Sequence, residues 1–378
     1  TGFTDSEASA VNDANNVVGW VSRQPVSASS KRAFVWVPVT GATGMQDLGT
    51  VGADVGSVAH DINNAGYVVG YSIAADNSPR AFFHDRKATD VMALAGVGTA
   101  VGTDLYLGTS NGVYRSSDEG VTIASRSNGL TELRVTALAT TSNPQIIYAG
   151  TAAGVFKTTD GSTSWTAANN GLMFTDNTVS PAVERVRPIR TLTAVQSNAA
   201  TVLAGTDVGV YGTTDGGANW IRNNSLSSSA VVINEIRSIA ASTSVYAATD
   251  NGIFYSGDGG TAWVNIQGSG LPTATPTATV DAAYNTTAGI TAVYVGTSTG
   301  VFKTTNITTS PVTWADASGT GSNALPAARN IRRLRFHKGT TTDTLYAALA
   351  GVGIYKTTDG GSTWTALPTT GLTNLDAL

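Results

Sequence analysis

The sequence predicts an all-β fold of repeated four-stranded units, closing into a single β-propeller. Three observations carry that prediction. One short signature recurs six times at blade-sized intervals from Tyr106 onward. Each copy is followed by a second signature with the chemistry of a hairpin turn. Short β-branched runs alternate with Gly, Asp and Asn turn signals, and no segment keeps a helical period. Two further repeats precede these six, and eight units in 378 residues give about 47 residues each. That size suits four-stranded blades. The expected ring has eight blades, with seven as the alternative.

The first signature is a small-residue step, then Gly, a β-branched residue and an aromatic. It reads GTSNGVY, GTAAGVF, GTDVGVY, ATDNGIF, GTSTGVF and LAGVGIY, with the Gly before the β-branched residue at 112, 154, 209, 252, 300 and 353. The second reads SSDEGVTI, TTDGSTSW, TTDGGANW, SGDGGTAW and TTDGGSTW, with a degenerate TTNITTSPVTW as the fifth copy. Asp and Trp stand five residues apart in Asp160/Trp165, Asp215/Trp220, Asp258/Trp263 and Asp359/Trp364; Asp118 has Ile123 at the Trp position, and Trp314 follows Asn306 three residues late. Asp-Gly-Gly between two β runs is turn chemistry, because Asp accepts backbone N–H bonds and Gly supplies positive φ. The Trp closes the apolar edge of the unit. Asp118, Asp160, Asp215, Asp258 and Asp359, with Trp165, Trp220, Trp263, Trp314 and Trp364, are therefore read as folding residues rather than metal or substrate ligands.

These offsets resemble the Asp-box, or BNR, repeat of sialidases, sortilin-type receptors, xyloglucanases and a photosystem II assembly factor, over residues 91–370. The resemblance implies a propeller with the boxes as structural turns on the outer rim.

Residues 1–90 differ. ASAVNDANNVVGW recurs as VAHDINNAGYVVGY, with Asn12 and Asn63 at equivalent places 51 residues apart, and Arg-Ala-Phe follows each copy at Arg32–Phe34 and Arg80–Phe82. This resembles the HAF repeat of bacterial extracellular repeat proteins. The chain is thus read as two HAF-like blades (1–90) and six Asp-box blades (91–378) in one continuous propeller domain. Val91–Ala95 fits either the end of the second HAF unit or the first strand of the next. The Arg of Arg-Ala-Phe is expected to face outward.

Composition narrows the function. Lys and Arg total 22 against 26 Asp and Glu, for a net charge of −4, which argues against nucleic-acid binding. No apolar run approaches the ~20 residues of a membrane span. With no Cys, disulfides, thiolate catalysis and Cys-ligated zinc are excluded; His60, His84 and His337 are too few and too scattered for a His-rich metal site, and no cofactor is expected. Low charge and richness in Thr, Ser, Ala and Gly suit an extracellular or periplasmic protein. The opening TGFTDSEAS reads as polar loop rather than a leader, as in a mature chain or a fragment of a longer one.

The unequal repeat spacings come from three long connections, Ala167–Arg187, Gln267–Ala278 and Ala315–Asn330. In a propeller these emerge on one face, the usual binding surface. Charge gathers at the same junction. Aligning Val135-Thr136, Ile189-Arg190, Ile236-Arg237, Val280-Asp281 and Ile331-Arg332 puts Arg190, Arg237 and Arg332 at one position, with Asp281 interrupting them. Arg185, Arg187, Arg329, Arg333 and Arg335 lie nearby, so half of the sixteen Arg fall at three strand starts. Two readings stand side by side. Arg190, Arg237, Arg332, Asp281 and Arg187 form a cationic mouth for an anion or acidic partner, or they are salt bridges between blades to Glu184, Glu235 and Asp281.

Catalysis lacks a signature. Sialidases pair an Arg triad with a Tyr/Glu nucleophile and an acid Asp, and begin with Arg-Ile-Pro; here only a scrambled Arg187-Pro188-Ile189 occurs. No P-loop is present, and the two GxSxG strings, at Gly108–Gly112 and Gly296–Gly300, are copies of the repeated first signature, which elsewhere reads GTAAG and GTDVG without the Ser. The expected function is a non-catalytic binding or scaffold module for a protein or anionic ligand. The alternatives are a glycan-binding or glycoside hydrolase module, and a structural subunit of a surface assembly. No catalytic or metal-ligating residue is assigned. The partner expected is a protein or glycan, with no nucleic acid and no membrane span.

Overall fold

The computed structural model describes residues 5–368 except 14–15, 23–26, 28–29, 37–44, 50–54, 63–66, 86–90, 100–101, 119, 121, 177–181, 196, 227–230, 240–241, 273–276, 286–288, 308–309, 328–329 and 340–341. The chain falls into two compact units, Thr1–Asp90 and Val91–Leu378. Among the described residues the secondary structure is β apart from 3₁₀ conformation at Ser30 and a three-residue 3₁₀ turn at Gly321–Asn323.

The first unit holds two antiparallel sheets. One has four strands in sequence order, Asp5–Val11, Val17–Ser22, Lys31–Trp36 and Met45–Gly49. The other has three among the described residues, Gly56–Ile62, Tyr67–Ile73 and Pro79–Asp85. Val18, Ala33, Val35, Ala59, Ile62 and Val68 form their common core. Asn12 closes a turn, its side chain accepting from the Asn16 amide at 3.0 Å; Asn63 lies outside the described residues. The Arg32 side chain is half-buried rather than fully outward.

Among its described residues the second unit holds six four-stranded antiparallel sheets. The first comprises Val91–Thr99, Gly102–Thr109, Gly112–Ser116 and Ala124–Ser125. Val91 therefore starts this unit and is not the last strand of the preceding one. The second comprises Val135–Thr140, Ile147–Thr151, Gly154–Thr158 and Thr166–Ala167. The first strands of the other four are Thr191–Ala194, Ile233–Ser238, Thr277–Asn285 and Ile331–His337. Every fourth strand is only two residues long. The long connection after Ala167 is itself a hairpin, Met173–Asp176 paired with Val183–Val186.

The repeated signatures have separate structural duties. The Gly of the GT step lies in the second strand and seats the next sheet: a Cβ on Gly150 would lie 2.6 Å from the Ile189 side chain. The following Thr closes the turn, as where the Thr151 hydroxyl donates to the Gly154 carbonyl at 3.1 Å. The aspartates bind their own turns. Asp215 accepts from the Thr213 hydroxyl (2.7 Å), the Asn219 amide N–H (2.9 Å) and the Asn219 side chain (2.8 Å). Asp118, Asp160, Asp258 and Asp359 accept equivalent bonds.

The Trp residues join sheets. The indole N–H of Trp165 donates to Arg126 O (2.7 Å), Trp220 to Ala168 O (2.8 Å), Trp314 to Ile266 O (3.0 Å) and Trp364 to Ala317 O (2.9 Å), each on the preceding sheet. Trp314 reaches its place despite arriving three residues late. Trp263 differs, donating to Gly260 in its own turn. Further in, Tyr148 and Lys157 both donate to the Gly216 carbonyl, at 2.9 and 2.8 Å, holding the next sheet's Asp turn.

Candidate functional site

The first strands of the second unit share one irregularity. Register slips between the first and third residues, at Val91/Ala93, Val135/Ala137, Ile233/Glu235, Thr277/Thr279 and Ile331/Arg333. The second residue is an extra, bulged one. In the third sheet Arg190 takes that place: its N–H donates to Gly205 O, and Thr191 pairs with Gly205. After a bulge the first and fourth residues face the same side, and Ile233 and Ile236, or Ile331 and Leu334, are all buried.

This corrects the sequence alignment. Arg190 and Arg332 are equivalent, both at the bulge. Arg237 and Asp281 stand three residues further along, equivalent to Arg335. The paired residues show it, since Arg237, Asp281 and Arg335 lie opposite Tyr246, Tyr294 and Tyr346. The apolar-Arg match at Ile236-Arg237 took the fourth-position Ile for the first.

The first strands enclose a cavity of about 750 Å³. One side carries Arg190, Glu235, Arg237, Arg333 and Arg335; the other carries small and aliphatic residues such as Ala93, Ala137 and Ala139. Of the residues expected at the site, Arg190 and Arg237 line this cavity and Arg332, Arg187 and Asp281 do not. Arg187 belongs to the inserted hairpin, its guanidinium 3.9 Å over the Phe174 ring. Arg329 lies outside the described residues.

Two buried carboxylates tie three successive sheets together. Asp281 receives Arg237 in a fork, Nε to Oδ1 and Nη2 to Oδ2 both at 3.3 Å, and its Oδ2 also accepts the Phe336 N–H at 3.0 Å. Glu235 accepts Arg335 at 2.7 Å and Arg333 at 3.4 Å on one oxygen. Its other oxygen takes the Thr279 hydroxyl and, at 3.1 Å, the Val280 N–H. Burial would raise the Glu235 pKa, but Arg335, Arg333 and Arg237 outweigh it and hold the carboxyl below its ordinary value. Glu184 makes no such bridge; it accepts the Thr175 hydroxyl within the hairpin.

The guanidinium groups are only partly consumed. Arg237, Arg333 and Arg335 keep 36%, 43% and 43% of their side-chain surface exposed, against 3% for Glu235 and 4% for Asp281. Arg190 donates Nε to the Ile233 carbonyl at 3.2 Å. Each guanidinium has five N–H donors, so donors remain toward the cavity. Arg333 and Arg335 are visible in sequence only as part of a charged strand, and the signal that ranks them is the buried position of Glu235. Among the described residues no group of three His, Cys, Asp or Glu could hold a metal ion.

A family model described as "Protein of unknown function (DUF3466)" matches residues 1–171. No curated protein matches the chain. Among solved structures, a GH74 enzyme of Niastella koreensis is similar at 15% identity and TM-score 0.52, over 96% of this chain and 54% of that one. This chain thus spans about half the length of that enzyme. YCF48 bound to D1 peptide is similar at 17% identity and TM-score 0.50, over 74% of this chain and 83% of that one. YCF48 from Cyanidioschyzon merolae stands at 15% and 0.50, over 75% and 86%. These are β-propeller proteins, and at such identities the likeness is one of fold. No helix among the described residues is long and apolar enough to cross a membrane.

Proposed function

We propose that this chain is a non-catalytic binding module, and that the cavity within its second unit takes an anionic group of a ligand or partner protein. The observation that carries this reading is the set of four partly exposed arginines, Arg190, Arg237, Arg333 and Arg335, around one cavity whose only lining carboxylate among the described residues is the buried Glu235. Guanidinium forks suit carboxylate and phosphate oxygens, which a point-charge Lys would not match. Glycoside hydrolysis needs a carboxylic acid whose pKa is raised. Glu235 is pushed the other way by its arginines, which favours binding over that chemistry. The Asp-box aspartates, with their oxygens spent on their own turns, are read as folding residues. The repeat count supports eight blades, two from the first unit and six from the second. The composition supports an extracellular or periplasmic setting.

The test is calorimetric titration of the full chain with sulfate and with an acidic octapeptide at low salt. Saturable binding that weakens with added NaCl and with Arg190→Gln is expected. Absence of binding by both probes from a folded chain refutes the reading. Turnover of a polysaccharide that disappears in Glu235→Gln would replace it with the hydrolase alternative.

A further inference from the structure

We infer that the ligand of this cavity is an oxyanion bearing at least two negative charges, the shared chemistry of a dicarboxylate and a phosphate monoester, and that Glu235 and Asp281 are positioning residues for the guanidinium groups that receive it. This rests on the anion-binding reading above. The inference starts from the charge count at the site. Arg190, Arg237, Arg333 and Arg335 line the cavity. Against them stand Glu235 in the wall and Asp281 behind Arg237. Four cations and two anions leave an excess of two positive charges. A singly charged ligand would leave one uncompensated among close guanidinium groups, whereas a dianion balances the site.

The hydrogen bonding points the same way. Glu235 is filled on both oxygens, by Arg335 and Arg333 on one and by Thr279 and the Val280 N–H on the other. Asp281 is filled by Arg237, the Phe336 N–H and the Ala282 N–H at 2.9 Å. Neither carboxylate has capacity left for a ligand, and both sit almost wholly out of solvent. Each instead fixes one edge of a guanidinium whose remaining surface is open. Arg335 is held further by donating to the Leu334 carbonyl at 2.6 Å. Such anchoring removes the rotamer freedom that a long cationic side chain otherwise loses on binding. Arg190, whose Nε donates to a backbone carbonyl, adds a guanidinium from the neighbouring sheet. Guanidinium groups reach the cavity from three different sheets, Arg190 from one, Arg237 from the next and Arg333 with Arg335 from a third, which suits a ligand carrying oxygens on more than one side.

The experiment is a charge series titrated by calorimetry into the full chain at pH 7.5 and low salt: acetate, succinate, inorganic phosphate and citrate. Succinate, phosphate and citrate are expected to bind at least tenfold tighter than acetate. Phosphate ahead of succinate assigns the phosphate-monoester class, and the reverse assigns the dicarboxylate class. Arg190→Gln, which breaks no ion pair among the described residues, is expected to weaken the dianions about tenfold and acetate far less. Glu235→Gln separates positioning from bulk charge. It makes the site more positive, so a purely Coulombic site binds dianions more tightly, whereas loss of positioning weakens them. If Glu235→Gln fails to fold, Arg333→Lys, on a partly exposed side chain, keeps the charge and loses the anchored guanidinium: a purely Coulombic site binds dianions as before, whereas a site that reads positioned guanidinium groups binds them more weakly. Dianions no tighter than acetate overturn this inference and leave the anion reading standing. No anion binding at all, with the melting temperature unchanged, overturns both.

Discussion

Trp220→Ala and Trp220→Phe test the claim that the second signature joins neighbouring sheets rather than merely ending one. The Trp220 side chain is 3% exposed and belongs to a cluster with Tyr148, Val155 and Leu172 of the preceding sheet and its connection. A buried Trp removes about 150–250 Å² from water, and about 25 cal/mol per Å² gives an upper range of about 4–6 kcal/mol. Trp→Ala in a core costs about 3–5 kcal/mol, and that range is expected here. Trp220→Phe keeps most of the packing and loses the indole bond to Ala168 O, 2.8 Å long. An unsatisfied buried acceptor costs about 1–3 kcal/mol, and since Ala168 is half-buried and open to water, about 1 kcal/mol is expected. The assay is urea denaturation followed by circular dichroism, with hydrogen exchange at Thr166–Ala167 and Ile221–Arg222. Both fourth strands should exchange faster in Trp220→Phe. In Trp263→Phe, whose indole donates only to Gly260 of its own turn, the lost bond should speed exchange in one sheet. A Trp220→Ala cost below about 1 kcal/mol, or unchanged exchange at Thr166–Ala167, refutes the joining role.

Three further outcomes follow from the same geometry. Gly171 has φ +89°, and a Cβ there would lie 2.0 Å from the Trp220 carbonyl oxygen, so Gly171→Ala should cost more than about 1 kcal/mol, read from thermal melts. Asp215→Ala should lower the melting temperature and leave sulfate affinity unchanged; lost affinity at an unchanged melting temperature would make Asp215 a ligand residue instead. The Ser164 and Asn219 side chains, foremost among the donors, hold Asp160 and Asp215 down to about 2, below the ordinary value of about 4. The stability these turns gain is present above pH ~4 and is lost as pH falls toward 2. Asp215→Ala should therefore flatten the fall in melting temperature across that window.

The all-β class, the repeat and the turn chemistry were legible in the sequence, because each rests on local rules. Asp-Gly-Gly makes a turn through bonds within five residues of Asp215, and the Gly of the first signature meets a local backbone need. The expected strands Val135–Ala139, Ile146–Gly150 and Val155–Thr158 lie within a residue or so of those in the structure. The two meanings open to Val91–Ala95 were settled only by pairing, since Leu94 and Ala95 lie opposite Leu107 and Tyr106.

The site was legible as a concentration of arginines and little more. A bulge after the first residue of each first strand breaks the period of two, so an apolar-Arg dipeptide at 236–237 imitates one at 331–332 while occupying a different place. Which arginine faces which carboxylate depends on contacts between residues up to 100 positions apart, as between Glu235 and Arg335. Local sequence thus determined how each sheet is built and closed, because those interactions act within one turn or one strand pair. Only the tertiary structure decided that Glu235 and Asp281 are buried, that Arg190, Arg237, Arg333 and Arg335 share one cavity, and that Arg187 and Arg332 do not line it. Charge complementarity is set by distance in space, which the spacing along the chain does not encode.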